Sequence, residues 1–483
     1  MGTKRVLPIY KILTEQAINK ISNASFDILE NIGVRIPNKR VWDRLKEFGA
    51  FIDEDNSVVK IIPEVTCKAI ELAGKKHILY GRAKENMAEF GYDMFNFNSS
   101  SGQYMIIDHK ERKRLSPKID DLRKAIKIGD YLKNIDVVGA MVVPSDINPK
   151  LQDVYTFLEL IKGTTKPFTG WIFNGRSAKA IIEMFEIVSG SKENLKKYPP
   201  YEAFVEPISP LAFRSEGIDI LIEFAEAGLP VSFGPMVQTG STGPINLAGT
   251  IAQENAEILS GIVIAQAIQP GLPVTYGGIP HVMDMRTMMI SFGSPEQGLM
   301  AAAITQLARS YKFPVYSNTA MTDSKIPDAQ SGIERAASLM LGVLSGGDIF
   351  GHLGISGADN GADLIQLIID DEMASYTKRV MKSFDVNDET ISLNDIKDIG
   401  IGGNFFNVEK TLTDFKKEIW YPEIFDRYVW DKWEAKGKKS IVDVALEVEA
   451  KILKNHEQHF LENGLRKECE SVLISFEKEN ELV

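Results

Sequence analysis

Val231-Ser232-Phe233-Gly234-Pro235-Met236-Val237 is followed by the polar turn Gln238-Thr239-Gly240-Ser241-Thr242-Gly243, by a helix-length run from Pro244 to Ile268, and by Pro273-Val274-Thr275-Tyr276-Gly277-Gly278. A short apolar run, a Gly-rich turn, a long segment and a second apolar run read as strand, loop, helix and strand. Two strands joined by so long a connection pair in parallel, because a crossover of that length is what a parallel return needs. Working outward, the pattern repeats. Strands are predicted at Met94 to Ser99, Ile135 to Val143, Phe168 to Asn174, Ala203 to Ser209, Val231 to Val237, Pro273 to Gly278, Val315 to Ala320 and Ile349 to Ile355. Helices are predicted over Asp120 to Leu132, Ser177 to Val188, Glu216 to Ala227, Pro244 to Ile268, Pro295 to Tyr311 and Asp328 to Leu344.

Eight such units over roughly 250 residues match a (β/α)8 TIM barrel in size. An open doubly wound sheet is the alternative, and the lack of a GxGxxG after the first strand weakens it slightly. Polar, Gly-rich residues cluster just after the strands, at Pro144-Ser145-Asp146, Gln238 to Gly243, Gly277-Gly278, Thr319 to Lys325 and Gly351 to Gly361. In a barrel these loops share one face, where active sites lie. The flanks differ. Residues 1–90 read as an N-terminal helical region, with Ile18, Ile21, Phe26, Leu29 and Ile32 at helical spacing, Gly33 as a stop, and shorter helices over Lys39 to Phe48 and Pro63 to Ala73. Residues 91–365 form the catalytic barrel. Residues 366–483 form a C-terminal helical region packing on it, with amphipathic stretches at Ile441 to Leu453 and Leu465 to Phe476 as covering helices or an oligomer contact.

Composition bounds the function. The 483 residues are 44% hydrophobic and 25% charged, the mix of an ordinary globular chain. With Lys+Arg 55 and Asp+Glu 66 the formal charge is −11, which disfavours nucleic acid or an anionic membrane as the main partner. Two distant cysteines, Cys67 and Cys469, give neither a thiolate zinc site nor a disulfide framework. No apolar stretch follows Lys4 and Arg5, and the run Ile258 to Ile268 is too short to span a bilayer, so a cytoplasmic location is expected.

Motifs of nucleophilic, phosphate-binding or zinc chemistry are missing: there is no Gly-x-Ser-x-Gly, Walker loop or HExxH. Asp108-His109 lacks the following Gly of the corrinoid-binding Asp-x-His-x-x-Gly pattern, so the chain is not expected to hold a corrinoid by that device. Ser294-Pro295-Glu296-Gln297 reads as a helix start, with a Ser cap, Pro at the first position and Glu296 at the positive end of the dipole. Glu296 is either only that or a site carboxylate on a barrel loop. His352, late in the last strand, and His281, after Gly277-Gly278, are either structural or functional. Aromatics recur at strand ends, among them Trp171, Phe204, Tyr276, Tyr316 and Phe350. Most must be packing, but a few facing the mouth would form an aromatic cage for a quaternary ammonium ion.

Several stretches together carry a resemblance over most of the chain. They are Leu13-Thr14-Glu15, Ile28 to Val34, Thr164-Thr165-Lys166-Pro167-Phe168, Gly243 to Thr250, Asp284-Met285-Arg286, Phe292 to Glu296, Pro327 to Gln330, Ile369 to Glu372 and Gly402 to Phe405. In this order they resemble the trimethylamine methyltransferase (MttB-like) superfamily. The founding members use pyrrolysine in a TIM barrel. This chain holds only the ordinary twenty residues, and so is similar to the non-pyrrolysine branch. That resemblance implies demethylation of a quaternary amine such as glycine betaine, proline betaine, carnitine or γ-butyrobetaine. The methyl group would pass to the Co(I) corrinoid (cobalamin) of a separate small protein, as part of one-carbon metabolism.

The implied chemistry is coherent. Loss of a methyl from a quaternary ammonium releases a neutral amine, so no proton has to be supplied. The protein has to hold one N-methyl in line, desolvate the cation and exclude water. On this reading Glu296 is the carboxylate for the cation and His352 a second catalytic candidate. Arg286, His281 and His352 are the anchors for a betaine carboxylate, with Arg286 favoured for its bidentate geometry. A structural ion pair with Asp284 is the equal alternative for Arg286. The expected partners are a corrinoid protein, a small quaternary amine and other copies of the chain, with no tightly bound metal. Two rival functions are a barrel lyase or hydrolase working through a carboxylate and His352, and a non-catalytic betaine-binding subunit.

Overall fold

The structure, a computed structural model, describes residues 2–7, 9–109 and 111–480; Met1, Pro8, Lys110 and residues 481–483 lie outside that description. Its centre is a mixed α/β unit in which strands and helices alternate. The strands are β1 (Met94–Ser99), β2 (Val138–Gly139), β3 (Phe168–Thr169), β4 (Ala203–Val205), β5 (Val231–Phe233), β6 (Val274–Tyr276), β7 (Tyr316–Ser317) and β8 (Ile349–Leu353). The helices that follow them are α1 (Ile119–Tyr131), α2 (Gln152–Gly163), α3 (Gly175–Ser189), α4 (Ser215–Ala227), α5 (Leu247–Ile268), α6 (Pro295–Ser310), α7 (Ala329–Ser345) and α8 (Leu364–Met381).

The core strands pair in parallel. β4, β5 and β6 are in register through Ala203↔Val231 and Val231↔Val274, β7 joins β8 through Tyr316↔Ile349, and β8 joins β1 through Phe350↔Phe97. β2 pairs β3 through Val138↔Phe168. Single bridges, Tyr276↔Val315 and Asn98↔Val137, carry the sequence of strands from β6 to β7 and from β1 to β2. Between β3 and β4 no ladder forms among the described residues; there the Phe168 amide donates to the Pro200 carbonyl at 3.3 Å. The strands are shorter than the sequence predicts. Their outer residues bond to loops instead, as where the Gln103 amide donates to Met141 and the Gln103 carbonyl accepts from Val143.

Helix α5 explains an ambiguity of the sequence. Every residue from Thr250 to Gln266 is buried, and polar ones are among them. The helix packs on the sheet on one side, and the N-terminal helices Glu15–Asp27, Trp42–Phe48 and Pro63–Leu72 cover the other. A helix covered all round loses the apolar stripe of a surface helix. Several of its polar groups find partners: Asn255 donates to Ser25 Oγ at 2.8 Å and accepts from Tyr276 Oη at 2.7 Å, whereas both carboxylate oxygens of the buried Glu254 have none among the described residues. No helix among the described residues is long and apolar enough to cross a membrane.

The N-terminal region also holds strands that helical spacing did not suggest. The hairpin His77–Tyr80 with Met87–Phe90 seats Leu79, Ala88 and Phe90 against Val137, Tyr316 and Ile349, near the starts of the core strands. At the far end of β8, a buried ion pair between Arg335 of α7 and Asp370 of α8, 2.9 Å apart, ties the helices together, and Asp370 also accepts from the Gly354 amide at 2.8 Å. Removing one partner of such a pair would strand a charge in the interior, a loss of about 3–5 kcal/mol. Of the C-terminal helices, Ile441–Asn455 packs on α8 and α1, and Asn463–Glu479 packs on α3 and α2.

Candidate active site: an aromatic chamber with carboxylates at both ends

The chamber begins with the parity of one strand. Along Glu202-Ala203-Phe204-Val205-Glu206 successive side chains point to opposite faces. Ala203 and Val205 are buried in the hydrophobic core. Glu202, Phe204 and Glu206 share the other face, and Glu202 and Phe204 line a small internal space of about 40 Å3 with Trp171, Ser232, Tyr316 and His352. The rings form a chain. Trp171 meets Phe204 edge-on at 5.7 Å, Phe204 lies 5.9 Å from Tyr316, and Tyr316 meets the His352 ring edge-on at 5.8 Å. Trp171 is held by its indole N–H, which donates to Gly102 at 2.9 Å. Tyr316 Oη and His352 Nε2 are 3.2 Å apart. Two glycines make this possible: a Cβ at Gly351 would overlap the Tyr316 hydroxyl, and one at Gly234 would overlap the Phe204 ring.

The acids differ in their company. Glu202 is satisfied: Thr275 Oγ1 donates to it at 2.5 Å, and His77 Nε2 lies 2.9 Å away with its ring stacked on Phe90. Glu206 is not. No hydrogen bond reaches its carboxylate among the described residues. Burial pushes its carboxyl up to about 7; nearby Arg214 opposes this and Asp359 adds to it. Glu206 lines a cleft of about 330 Å3 together with Trp171, Phe204 and Arg214, so the cleft and the chamber share two rings. Asp359 is itself pushed up to about 6 by burial, although Gln103 Nε2 donates to it at 2.8 Å. Two carboxyls raised by burial beside an aromatic box form a site short of positive charge.

Of the residues singled out in the sequence, Trp171, Phe204, Tyr316 and His352 come together here. His352 is neutral at physiological pH, since burial lowers it to about 4. His281 is buried beside the chamber's apolar neighbours: its Nδ1 lies 2.9 Å from the Ile279 carbonyl and its ring 5.0 Å from Phe292, and burial lowers its basicity. Phe292 belongs to a cluster with Ile279, Met321 and Ile355, against which Phe204 packs.

Four expected residues lie elsewhere. Tyr276 points away from the chamber to Asn255 of α5, and Phe350 packs with Phe95 and Phe97 at 6.3 and 5.8 Å in the outer layer. Both sit on strand faces turned to the helices. Glu296 is exposed in the first turn of α6, where Ser294 Oγ caps the Gln297 amide at 3.3 Å. Arg286 is 94% exposed on the hairpin His281–Asp284 with Met289–Ser291, 3.8 Å from Asp284. Helix capping and a surface ion pair account for both. Glu206 and Asp359 went unnoticed. The period-two pattern Glu202-x-Phe204-x-Glu206 within a predicted strand was the available signal for the first; for Asp359, in a turn, sequence offered none. No group of three or more His, Cys, Asp or Glu that could hold a metal occurs among the described residues.

Comparison with known proteins settles the family. The family model described as trimethylamine methyltransferase (MTTB) matches residues 2–479. The chain belongs to the trimethylamine methyltransferase family. Methyl transfer is therefore its class of reaction. Within that family it is 30% identical to a trimethylamine methyltransferase of Methanosarcina barkeri over 482 residues, covering 97% of this chain and 95% of the relative. It is 31% identical to a glycine betaine methyltransferase of Desulfitobacterium hafniense over 431 residues, 89% of each chain. Among solved structures, the monomethylamine methyltransferase of Methanosarcina barkeri aligns over 95% of this chain and 94% of its own, at 12% identity and a TM-score of 0.49.

Proposed function

We propose that this trimethylamine methyltransferase family member demethylates a quaternary amine and hands the methyl group to the Co(I) corrinoid of a separate protein. The observation that carries the reading is Glu206, a carboxyl held up to about 7 by burial at the edge of an aromatic box. A quaternary ammonium satisfies both halves. Its methyl groups pack on the faces and edges of Trp171, Phe204 and Tyr316, at about 0.5–2 kcal/mol per ring contact. Its charge ionises Glu206, which loses its proton as the cation enters. The bound cation needs no general acid: when the N–CH3 bond breaks, its electron pair stays on nitrogen and the amine leaves neutral. The partner's corrinoid supplies the electron pair for the new bond to carbon. His352, neutral and paired with Tyr316, positions that ring and takes no proton. Trp171 is fixed from behind by Gly102, so the box is set before substrate arrives, which is how a protein gains orientation without new bonds.

A betaine also needs a partner for its own carboxylate. Arg214, in the cleft beside Glu206, serves better than the distant, solvated Arg286. Glycine betaine and its relatives proline betaine, carnitine and γ-butyrobetaine are thus the substrates of choice. On this reading the eight strands act as a (β/α)8 barrel over residues 91–365, with 1–90 covering α5 and 366–483 at the outer rim. Incubating the pure protein with cob(I)alamin and a panel of betaines, tetramethylammonium and trimethylamine tests it. Methylcobalamin forming with a betaine is the expected result. Binding of every ligand without methyl transfer, or transfer from trimethylamine alone, overturns the proposal.

A further inference from the structure

One segment of the chain does not pack. Nearly half of the exposed large apolar side chains among the described residues lie between Phe384 and Trp430, about a tenth of the sequence. The short helices there, Asp388–Ile391, Leu393–Ile399, Glu409–Glu418 and Trp430–Ala435, contain no buried residue. From residue 385 to 417 no hydrogen bond or ion pair reaches the body of the molecule among the described residues; the bonds are internal, such as Lys410 to Glu389 at 2.6 Å. The segment re-attaches only afterwards, where Trp420 donates to Ser375 at 3.0 Å and Glu372 accepts from the Glu423 amide at 3.0 Å.

This is not the composition of a solvated linker, which is poor in aromatic and aliphatic residues. Leu412, Phe415 and Ile419 recur at helical spacing and make a stripe that faces water. Phe406 and Ile401 are more than two-thirds exposed. Such helices are too short to hold themselves, so their apolar faces require a surface outside the chain. A receiving surface exists on the body. Between α7 and α8 an apolar groove of about 430 Å3 opens beside the base of the segment, lined by Gly332, Ile369, Met373, Tyr376 and Ile441 together with Phe425 of the re-attached stretch.

We propose that residues 384–419 form an arm that packs on the α7–α8 groove of a second copy of this chain. The area argues for a permanent partner of this kind. About ten such side chains, each offering half of the roughly 150–250 Å2 of an aromatic, come to about 1,000 Å2 per copy. That exceeds the ~800 Å2 per partner of a standard interface, and the two-way exchange of arm and groove brings the total into the obligate range. Carrying arm and groove on one chain also lets two copies close on each other with a single kind of contact.

Light scattering of the full-length protein after gel filtration tests this. The account expects a mass at least twice that of one chain down to submicromolar concentration, and the mass of one chain for the double variant Phe405→Asp, Phe406→Asp. A single-chain mass for the unaltered protein at all concentrations, or association only after a corrinoid protein is added, overturns it. So does unchanged mass in the variant. Should the variant fail to fold, cross-linking of the unaltered chain decides. An equal mixture of isotopically heavy and light protein, unfolded and refolded together and then cross-linked, should join Lys397 or Lys410 of one isotope to Lys325 or Lys378 of the other. Links confined to one isotope contradict the proposal.

Discussion

Glu206 continues strand β4 and Glu296 opens helix α6, and the contrast between them is the contrast between a site and a surface. Glu296 keeps its hydration and meets only a helix dipole, an interaction of a few tenths of a kcal/mol at an exposed position. Glu206 is half-buried without gaining a hydrogen bond, and its carboxyl is pushed up to about 7. The first carboxylate has little to offer a cation that water does not. The second would trade a poor situation for a good one, and that difference is what binding a cation draws on.

The contrast breaks most sharply under Glu206→Gln. The amide keeps the shape and removes the charge, so affinity for a betaine measured by calorimetry should fall about 100-fold, near 2.7 kcal/mol, while the fold survives. A loss of less than about threefold would place the cation elsewhere. Next in size is Trp171→Leu, which removes one ring of the box. A loss of about 5–30-fold in kcat/KM follows if that ring is worth about 1–2 kcal/mol, and tetramethylammonium and betaine should suffer alike.

Acidity sharpens the comparison at a similar scale. Only the ionised Glu206 attracts the cation, so with its carboxyl near 7 affinity should drop about tenfold from pH 8 to pH 6, in proportion to the ionised fraction. Proton release on binding should appear at pH 6 and vanish at pH 8, read from calorimetry in buffers of different ionisation heat. Stability should run the other way. Glu206 and Asp359 are both raised by burial above the usual carboxyl range. Their contribution is complete below the unfolded value and is lost as pH rises through about 6 to 7. The ligand-free protein should therefore melt higher near pH 5.5 than Glu206→Gln would lead one to expect from the variant's own flatter profile. The smallest effects belong to the exposed pair: Glu296→Gln and Arg286→Ala should each change kcat/KM by less than about twofold. A tenfold loss in either would return the site to that loop.

The strand order, the alternation with helices and most helix ends were legible in the sequence, because apolar periodicity and capping residues act over a few residues. Which side of a strand faces inward was not. Tyr276 and Phe350 have the same chemistry as Tyr316 and Phe204, but stand on the outward parity, opposite Asn255 of α5 and the Phe95–Phe97 pair. Only the partner across the layer decides that, and it comes from a distant part of the chain. Helix α5 shows the same limit: being covered on every side, it carried no stripe to reveal its orientation. For the proposed arm, the sequence predicts part of a helical region packing on the body. Its spacing is that of a surface helix, and spacing does not reveal what covers the apolar face.

The central claim is that a quaternary nitrogen sits in the box formed by Trp171, Phe204 and Tyr316 with Glu206 as its counter-charge. A crystal structure of the protein with glycine betaine tests it most directly. The account predicts the nitrogen within about 6 Å of those ring centroids, with Glu206 the nearest carboxylate and Arg214 at the betaine carboxylate. A betaine resting against Glu296 and Arg286, with the box collapsed on itself, would contradict it.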